Sequence, residues 1–179
     1  MIGLKPGTVT ISKHDQRWRE IFERERDRIK QALGDVVLAA EHVGSTSVPG
    51  LDAKPIVDIA MAIASFESFP PHVPTVEALG YIYRGENGIP RRHYFVYGDP
   101  RIVHLHFLER DSDAWHIHLA FRETMRHSPE LRQQYMDLKH ELATRFPNDR
   151  DAYTAGKQAF IHSIIDPIVA EHRSKPTPD

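Results

Sequence analysis

Three consecutive stretches decide the fold: VVLAAEHV (36–43), GSTSVPGLDAKP (44–55) and PIVDIAMAI (55–63). The first and third are short apolar runs with the length and β-branched content of strands. The middle one holds two glycines and two prolines, so it is irregular and breaks the chain between them. Side chains alternate across a strand. The third stretch therefore puts Ile56, Asp58, Ala60 and Ala62 on one face and Val57, Ile59, Met61 and Ile63 on the other. Both faces are apolar apart from Asp58, which marks a strand buried inside a sheet.

Upstream, residues 14–33 carry Trp18, Ile21, Phe22, Ile29 and Leu33 on one helical stripe, with Asp15 or Ser12 as cap and Gly34 as stop. Downstream, 65–80 is loop with a short helix near Thr75–Leu79. Strands are expected at 81–84, 91–98 and 101–109, the last two forming an antiparallel hairpin. From Ser112 the period becomes helical. Three helices are expected: 112–127, 128–146 (Ser128 as cap, Pro129 at its first position) and 148–165, the last closed or kinked by Pro167. The fold class is α+β, a mixed sheet of about five strands with an N-terminal helix and a C-terminal three-helix segment. One domain is expected over 1–172, with a disordered tail at 173–179.

The chain has 179 residues, 40% hydrophobic and 27% charged, with a net charge of −2. That is globular composition without the positive excess of a general nucleic-acid binder. Cysteine is absent, which excludes disulfides, thiolate metal sites and a cysteine nucleophile. No run approaches the ~20 apolar residues of a membrane span, and the N-terminus lacks a leader's apolar core, so a cytoplasmic protein is expected. Histidine is abundant, at 12 residues, and His93, His104, His106, His116, His118 and His127 crowd one segment.

Several residues could carry chemistry. Gly44, Ser45 and Thr46 form a turn after a strand, where backbone N–H groups and hydroxyls suit a phosphate, with Lys54 close enough to fold back on the same ligand. The same residues also make an ordinary turn. Asp58 needs a partner, since an isolated buried carboxylate is costly. His104 and His106, at i and i+2 on a strand, point to one face and could hold an anion or share a metal. His116 and His118 lie on a helix, where that spacing diverges, while His118 and Arg122 share a helix face. Arg92, His93, Lys139 and Lys157 occupy places a solvated charge avoids. They either snorkel or line an anionic ligand's pocket.

The blocks EHVGSTSVPGLDAKPIVDI, HLHF, WHIHLAFRETMRHSPELRQQYMDLKHELA and AYTAGKQAFI closely resemble the GrpB family, from about residue 8 to about residue 168. The resemblance implies a nucleotidyltransferase-like fold, and related domains occur fused to dephospho-coenzyme A kinase. In that superfamily an apolar-Gly-Ser turn precedes a strand bearing Asp-x-Asp or Asp-x-Glu, with a third acid on a neighbouring strand. Val43-Gly44-Ser45 and Asp58 match. Ala60 stands where the second acid is expected, and His104 and His106 where the third is. Two Mg²⁺ ions need clustered carboxylates, and one aspartate with imidazoles serves them poorly.

Three functions follow as expectations. The first is binding of a nucleotide or phosphorylated small molecule by Gly44, Ser45, Thr46, Lys54, Arg92, His93, Arg122, Lys139 and Lys157, with Asp58 orienting Lys54 or one metal. Asp58, His104 and His106 are then the catalytic candidates for any nucleotidyl or phosphoryl transfer. The second is a histidine-centred hydrolase using a divalent metal on His104, His106 and one of His93, Asp58 or His118. The third is a non-catalytic interaction module. Neither a membrane nor general nucleic acid is an expected partner, and the sequence sets no oligomeric state.

Overall fold

The computed structural model describes residues 2–174. Five strands form one sheet: β1 (Ala39–Val43), β2 (Val57–Ile63), β3 (Ile82–Tyr83), β4 (Arg92–Tyr97) and β5 (Val103–Glu109). Their order is β1-β2-β5-β4-β3, with β2 and β5 parallel and every other pair antiparallel. The fold is the expected α+β with a mixed sheet.

Helices cover both faces. Helix α1 (Arg17–Leu33) begins where the Asp15 carboxylate accepts the Arg17 N–H, and stops at Gly34, whose φ is 55°. Its stripe of Trp18, Ile21, Phe22, Ile29 and Leu33 packs on Val57, Ile59, Met61, Leu105 and Phe107, and α2 (Val73–Ala78) adds Val76 to this core. On the other face α3 (Asp113–His127) lays Trp115 against Ala60, Ala62, Leu108 and Val43. The small alanines let the helix come close to the sheet. Helix α4 (Pro129–Arg145) is capped by the Ser128 hydroxyl, which accepts the Leu131 N–H.

The third expected C-terminal helix is two: α5 (Arg150–Gly156) and α6 (Gln158–Ser174). Helix α5 ends at Gly156, where a Cβ would lie 2.6 Å from Leu142 Cδ2 of α4, so the missing side chain lets the two helices approach closely. Pro167 sits inside α6 and does not end it. Arg173 and Ser174, expected in the tail, continue this helix, and Arg173 pairs with Asp113. The tail's remaining residues lie outside the described ones.

Trp18 is fully buried under the sheet face opposite α3. Replacing it with alanine is expected to lower the unfolding free energy by about 3–5 kcal/mol, read from the midpoint of a urea titration.

Candidate functional site

The register of the sheet places the chemistry. Val43 pairs with Asp58, Asp58 with His104, and Tyr94 with His106, so Asp58, His104, His106, Tyr94 and Arg92 share the face toward α3–α6. Between that face and the helices lies a cavity of ≈ 460 Å³. Gly44, Ser45, Thr46, Lys54, Asp58, Arg92, His104, His106, Lys139 and Lys157 all line it.

Asp58 is the hub. His104 Nδ1 lies 2.9 Å and His106 Nε2 3.4 Å from the same oxygen, Oδ1. Behind them, Arg150 Nη2 is 3.1 Å from His104 Nε2, and Arg92 Nη1 is 3.1 Å from His106 Nδ1. Arginine can only donate, so these two ring nitrogens accept. The other nitrogen of each ring therefore carries the proton and donates to Asp58. The result is a chain, Arg150–His104–Asp58–His106–Arg92, in which both imidazoles are neutral and their tautomers fixed. Arg92 is held in turn by the carbonyls of Glu86 and Asn87 and lies over the Tyr94 ring at 4.6 Å.

The proton affinities agree. Burial raises the Asp58 carboxyl, but hydrogen bonds from His104 and His106 outweigh it and hold the group well below the usual range. Burial lowers His104 to about 4 against the pull of Asp58, and lowers His106 in the same way. His118, whose ring meets the His106 ring edge-on at 5.1 Å, is lowered by burial to about 3. Asp58 is thus an anion buttressed by neutral donors.

Gly44 is required twice over. Its φ is +67°, and a Cβ there would stand 2.7 Å from Asp58 Oδ2. A tight turn follows at Ser45–Ser47, with the Ser47 hydroxyl donating to the Gly44 carbonyl.

The far wall is cationic and aromatic. Lys54 Nζ lies 4.9 Å and Lys157 Nζ 4.5 Å from the centre of the Tyr153 ring, and Lys139 Nζ lies 4.8 Å from that of Tyr135. Lys139 also donates to the Asp52 carbonyl. Burial lowers Lys54 to about 7, with repulsion from Lys157 and Arg150 adding to it. Burial, then Lys157, takes Lys139 to about 7, and burial takes Lys157 to about 8.

Two expected residues lie elsewhere. His93 is next to Arg92 on β4 and so points to the opposite face. There its Nε2 donates to the Phe66 carbonyl at 2.9 Å, its Nδ1 accepts from Tyr83 at 2.8 Å, and its ring stacks on Phe66. Arg122 reaches the Glu41 carboxylate and the His42 carbonyl, and lines a separate cavity of ≈ 400 Å³ behind the turn. Thr46 borders both cavities. Asp58 is bonded to the imidazoles rather than to Lys54. Among the described residues no group of three or more His, Asp and Glu side chains could hold a metal ion. In the hub, all four ring nitrogens of His104 and His106 are already engaged.

Sequence reasoning missed Arg150, Tyr153, Tyr135 and Tyr94, all of which line the cavity. A signal for the first two was present. Arg150, Tyr153, Thr154 and Lys157 recur at helical spacing after a good cap, Asp149, and all four line the cavity.

A profile of the family described as "GrpB protein" matches residues 8–166. The crystal structure of conserved protein GrpB from Enterococcus faecalis superposes with a TM-score of 0.84 at 35% identity, covering 92% of this chain and 100% of that one. The UPF0157 protein YqkA of Bacillus subtilis is 36% identical over 154 residues, 86% of this chain, and the chain spans 45% of that protein's length. A dephospho-CoA kinase of Mycolicibacterium paratuberculosis is 26% identical over 176 residues, with 84% of this chain and 43% of that protein covered.

Neutral buried histidines make acid destabilising. Between about pH 6.5 and 4 the unfolded chain binds protons that native His104, His42 and His118 refuse, so stability falls as pH falls, by up to about 1.4 kcal/mol per pH unit for each ring. Below the ordinary carboxylate range, loss of the Asp58 charge adds in the same direction. Long-range ¹H–¹⁵N spectra are expected to show His104 protonated at Nδ1 and His106 at Nε2 throughout the neutral range. Either ring in the opposite tautomer, or charged at pH 6, would break the chain of donors.

Proposed function

The chain belongs to the GrpB family, and we propose that it binds a nucleotide or another phosphorylated small molecule in the cavity over Asp58. One observation carries this reading. The cavity wall brings together Lys54, Arg92, Lys139, Arg150 and Lys157 against a single carboxylate, Asp58, and that carboxylate is already bonded to two imidazoles. Lys54 and Lys157 lie over the Tyr153 ring, and Asp58 is the acid that acts on both. Cations gathered in a concave, partly dehydrated site attract an anion far more strongly than the same charges spread over a surface.

Phosphate fits the remaining groups. Ser45, Thr46 and Thr154 add hydroxyls, and the Gly44 turn brings backbone close to the ligand. Arg150 uses one nitrogen on His104, which leaves further N–H groups of its planar fork for a phosphate or carboxylate. The cavity has the volume of a small-molecule site. The likeness to a protein named dephospho-CoA kinase favours including coenzyme A compounds among the candidates. Two-metal transfer chemistry is not part of the proposal, because one engaged carboxylate cannot hold the ions it needs.

Isothermal titration of the purified protein with nucleotides, coenzyme A and their dephosphorylated counterparts tests the reading. Phosphorylated compounds should bind, and Lys157→Ala or Lys54→Ala should weaken them about tenfold or more. The reading fails if no phosphorylated compound binds and wild type behaves like Lys54→Ala.

The lysines also fix a pH dependence. In the free protein Lys54 and Lys139 lose their protons near pH 7 and Lys157 near 8. A bound anion raises all three, so binding takes up protons and weakens as pH rises through about 7–9. Titrations at about pH 7.5 in buffers of different ionisation enthalpy should give heats that differ with the buffer. Heats independent of the buffer would contradict this.

A further inference from the structure

Lys54 stands out among the groups that anion binding alone does not explain. It lies in the irregular segment between β1 and β2, and its ammonium rests 4.9 Å from the centre of the Tyr153 ring. Lys157 occupies a place 4.5 Å from the same centre, so two amines converge on one phenol. The charged groups facing Lys54 come from every neighbouring element: Lys157 after α5, Arg150 from α5, Arg101 before β5, and Asp58 from β2. Three are cations and one is an acid, and the acid is engaged by two imidazoles.

The three buried lysines are not equivalent. Lys139 is tied to the Asp52 carbonyl and is 2% exposed, so its nitrogen is not available. Lys157 is lowered by burial and by Arg150, against the pull of Asp58. Lys54 is lowered by burial and by three cations, Lys157, Arg150 and Arg101, against the same pull of Asp58. An amine crowded by other cations in a dehydrated pocket is the usual setting of a nucleophilic lysine.

We propose that Lys54 is a nucleophilic amine that captures the carbonyl carbon of an anionic aldehyde seated with its phosphate or carboxylate against Lys157 and Arg150. The Nζ lone pair forms the N–C bond while the carbonyl π electrons move to oxygen, which takes a proton. The carbinolamine then loses that oxygen as water, and the nitrogen loses its remaining proton. Amine and aldehyde give imine and water, with no change of oxidation state. The placement of the anion rests on the binding reading above; the reactivity of Lys54 does not.

The test uses the full chain, pyridoxal 5′-phosphate as the anionic aldehyde, pyridoxal as its phosphate-free counterpart, and borohydride to fix the imine for peptide mapping by mass spectrometry. At about pH 7.5 Lys54 should be labelled at least about tenfold faster than exposed Lys5 and Lys30. Its rate should level off above about pH 7–8, while theirs should still climb. Lys157→Ala removes a repelling cation and should move the Lys54 profile to higher pH. Labelling of Lys54 no faster than that of Lys30, or a profile unmoved in folded Lys157→Ala, overturns the proposal. Equal labelling by the phosphate-free aldehyde, with no protection by pyrophosphate, upholds the amine and counts against the anion site instead.

Discussion

A single buried carboxylate organises this protein. Asp58 interrupts an apolar strand, and a charge in that position is tolerated only with hydrogen-bond donors arranged around it. The donors come from the neighbouring parallel strand, two imidazoles spaced one residue apart so that both point at one oxygen. Neutral imidazoles can donate there only in fixed tautomers, and Arg92 and Arg150 fix them from behind. The other oxygen lies against the Cα of Gly44, where any side chain would collide with it. Strand register, turn residue, tautomers and the placing of two arginines thus all answer to one anion.

That arrangement also explains how a chain with a net charge of −2 builds a cationic cavity. Asp58 faces the cavity, but its acceptor capacity is partly taken by the histidines. The cations beyond it are consequently under-neutralised. Surface ion pairs such as Arg91 with Glu67 and Glu109, or Arg122 with Glu41, balance their own charges locally. A field focused in a cleft selects for a ligand rather than for general stickiness.

Much of this is legible in residue order because strands enforce parity. Asp58 in its apolar run, and His104 with His106 two apart, give a shared face before any coordinates are known. The same rule excludes His93 once Arg92 is placed, since adjacent strand residues face opposite ways. The sequence expectation of both in one pocket set that rule aside. Arg122 shows a different limit. It shares a helix face with His118, yet its long side chain turns to the edge strand, where the Glu41 carboxylate and the His42 carbonyl compete for it. The split between α5 and α6 falls at Gly156, which packs against Leu142 of another helix, a long-range contact with no local signature. Without that split, the stripe of Arg150, Tyr153, Thr154 and Lys157 reads as part of one long amphipathic helix.

The position two residues after Asp58 shows why the pocket carries so little negative charge. A nucleotidyltransferase-like site would place a second acid there to hold metal ions. Here the residue is Ala60, fully buried in a cluster with Val43, Ala62, Leu108 and Trp115. A carboxylate at that point would sit under the α3 indole among these apolar side chains, with His106 beside it on one neighbouring strand and Glu41 on the other. The close seat of α3 on the sheet favours the small side chain there. With imidazoles at 104 and 106 in place of an acid, the same strand framework carries one carboxylate, Asp58, and two rings already bonded to it, too little negative charge for paired cations.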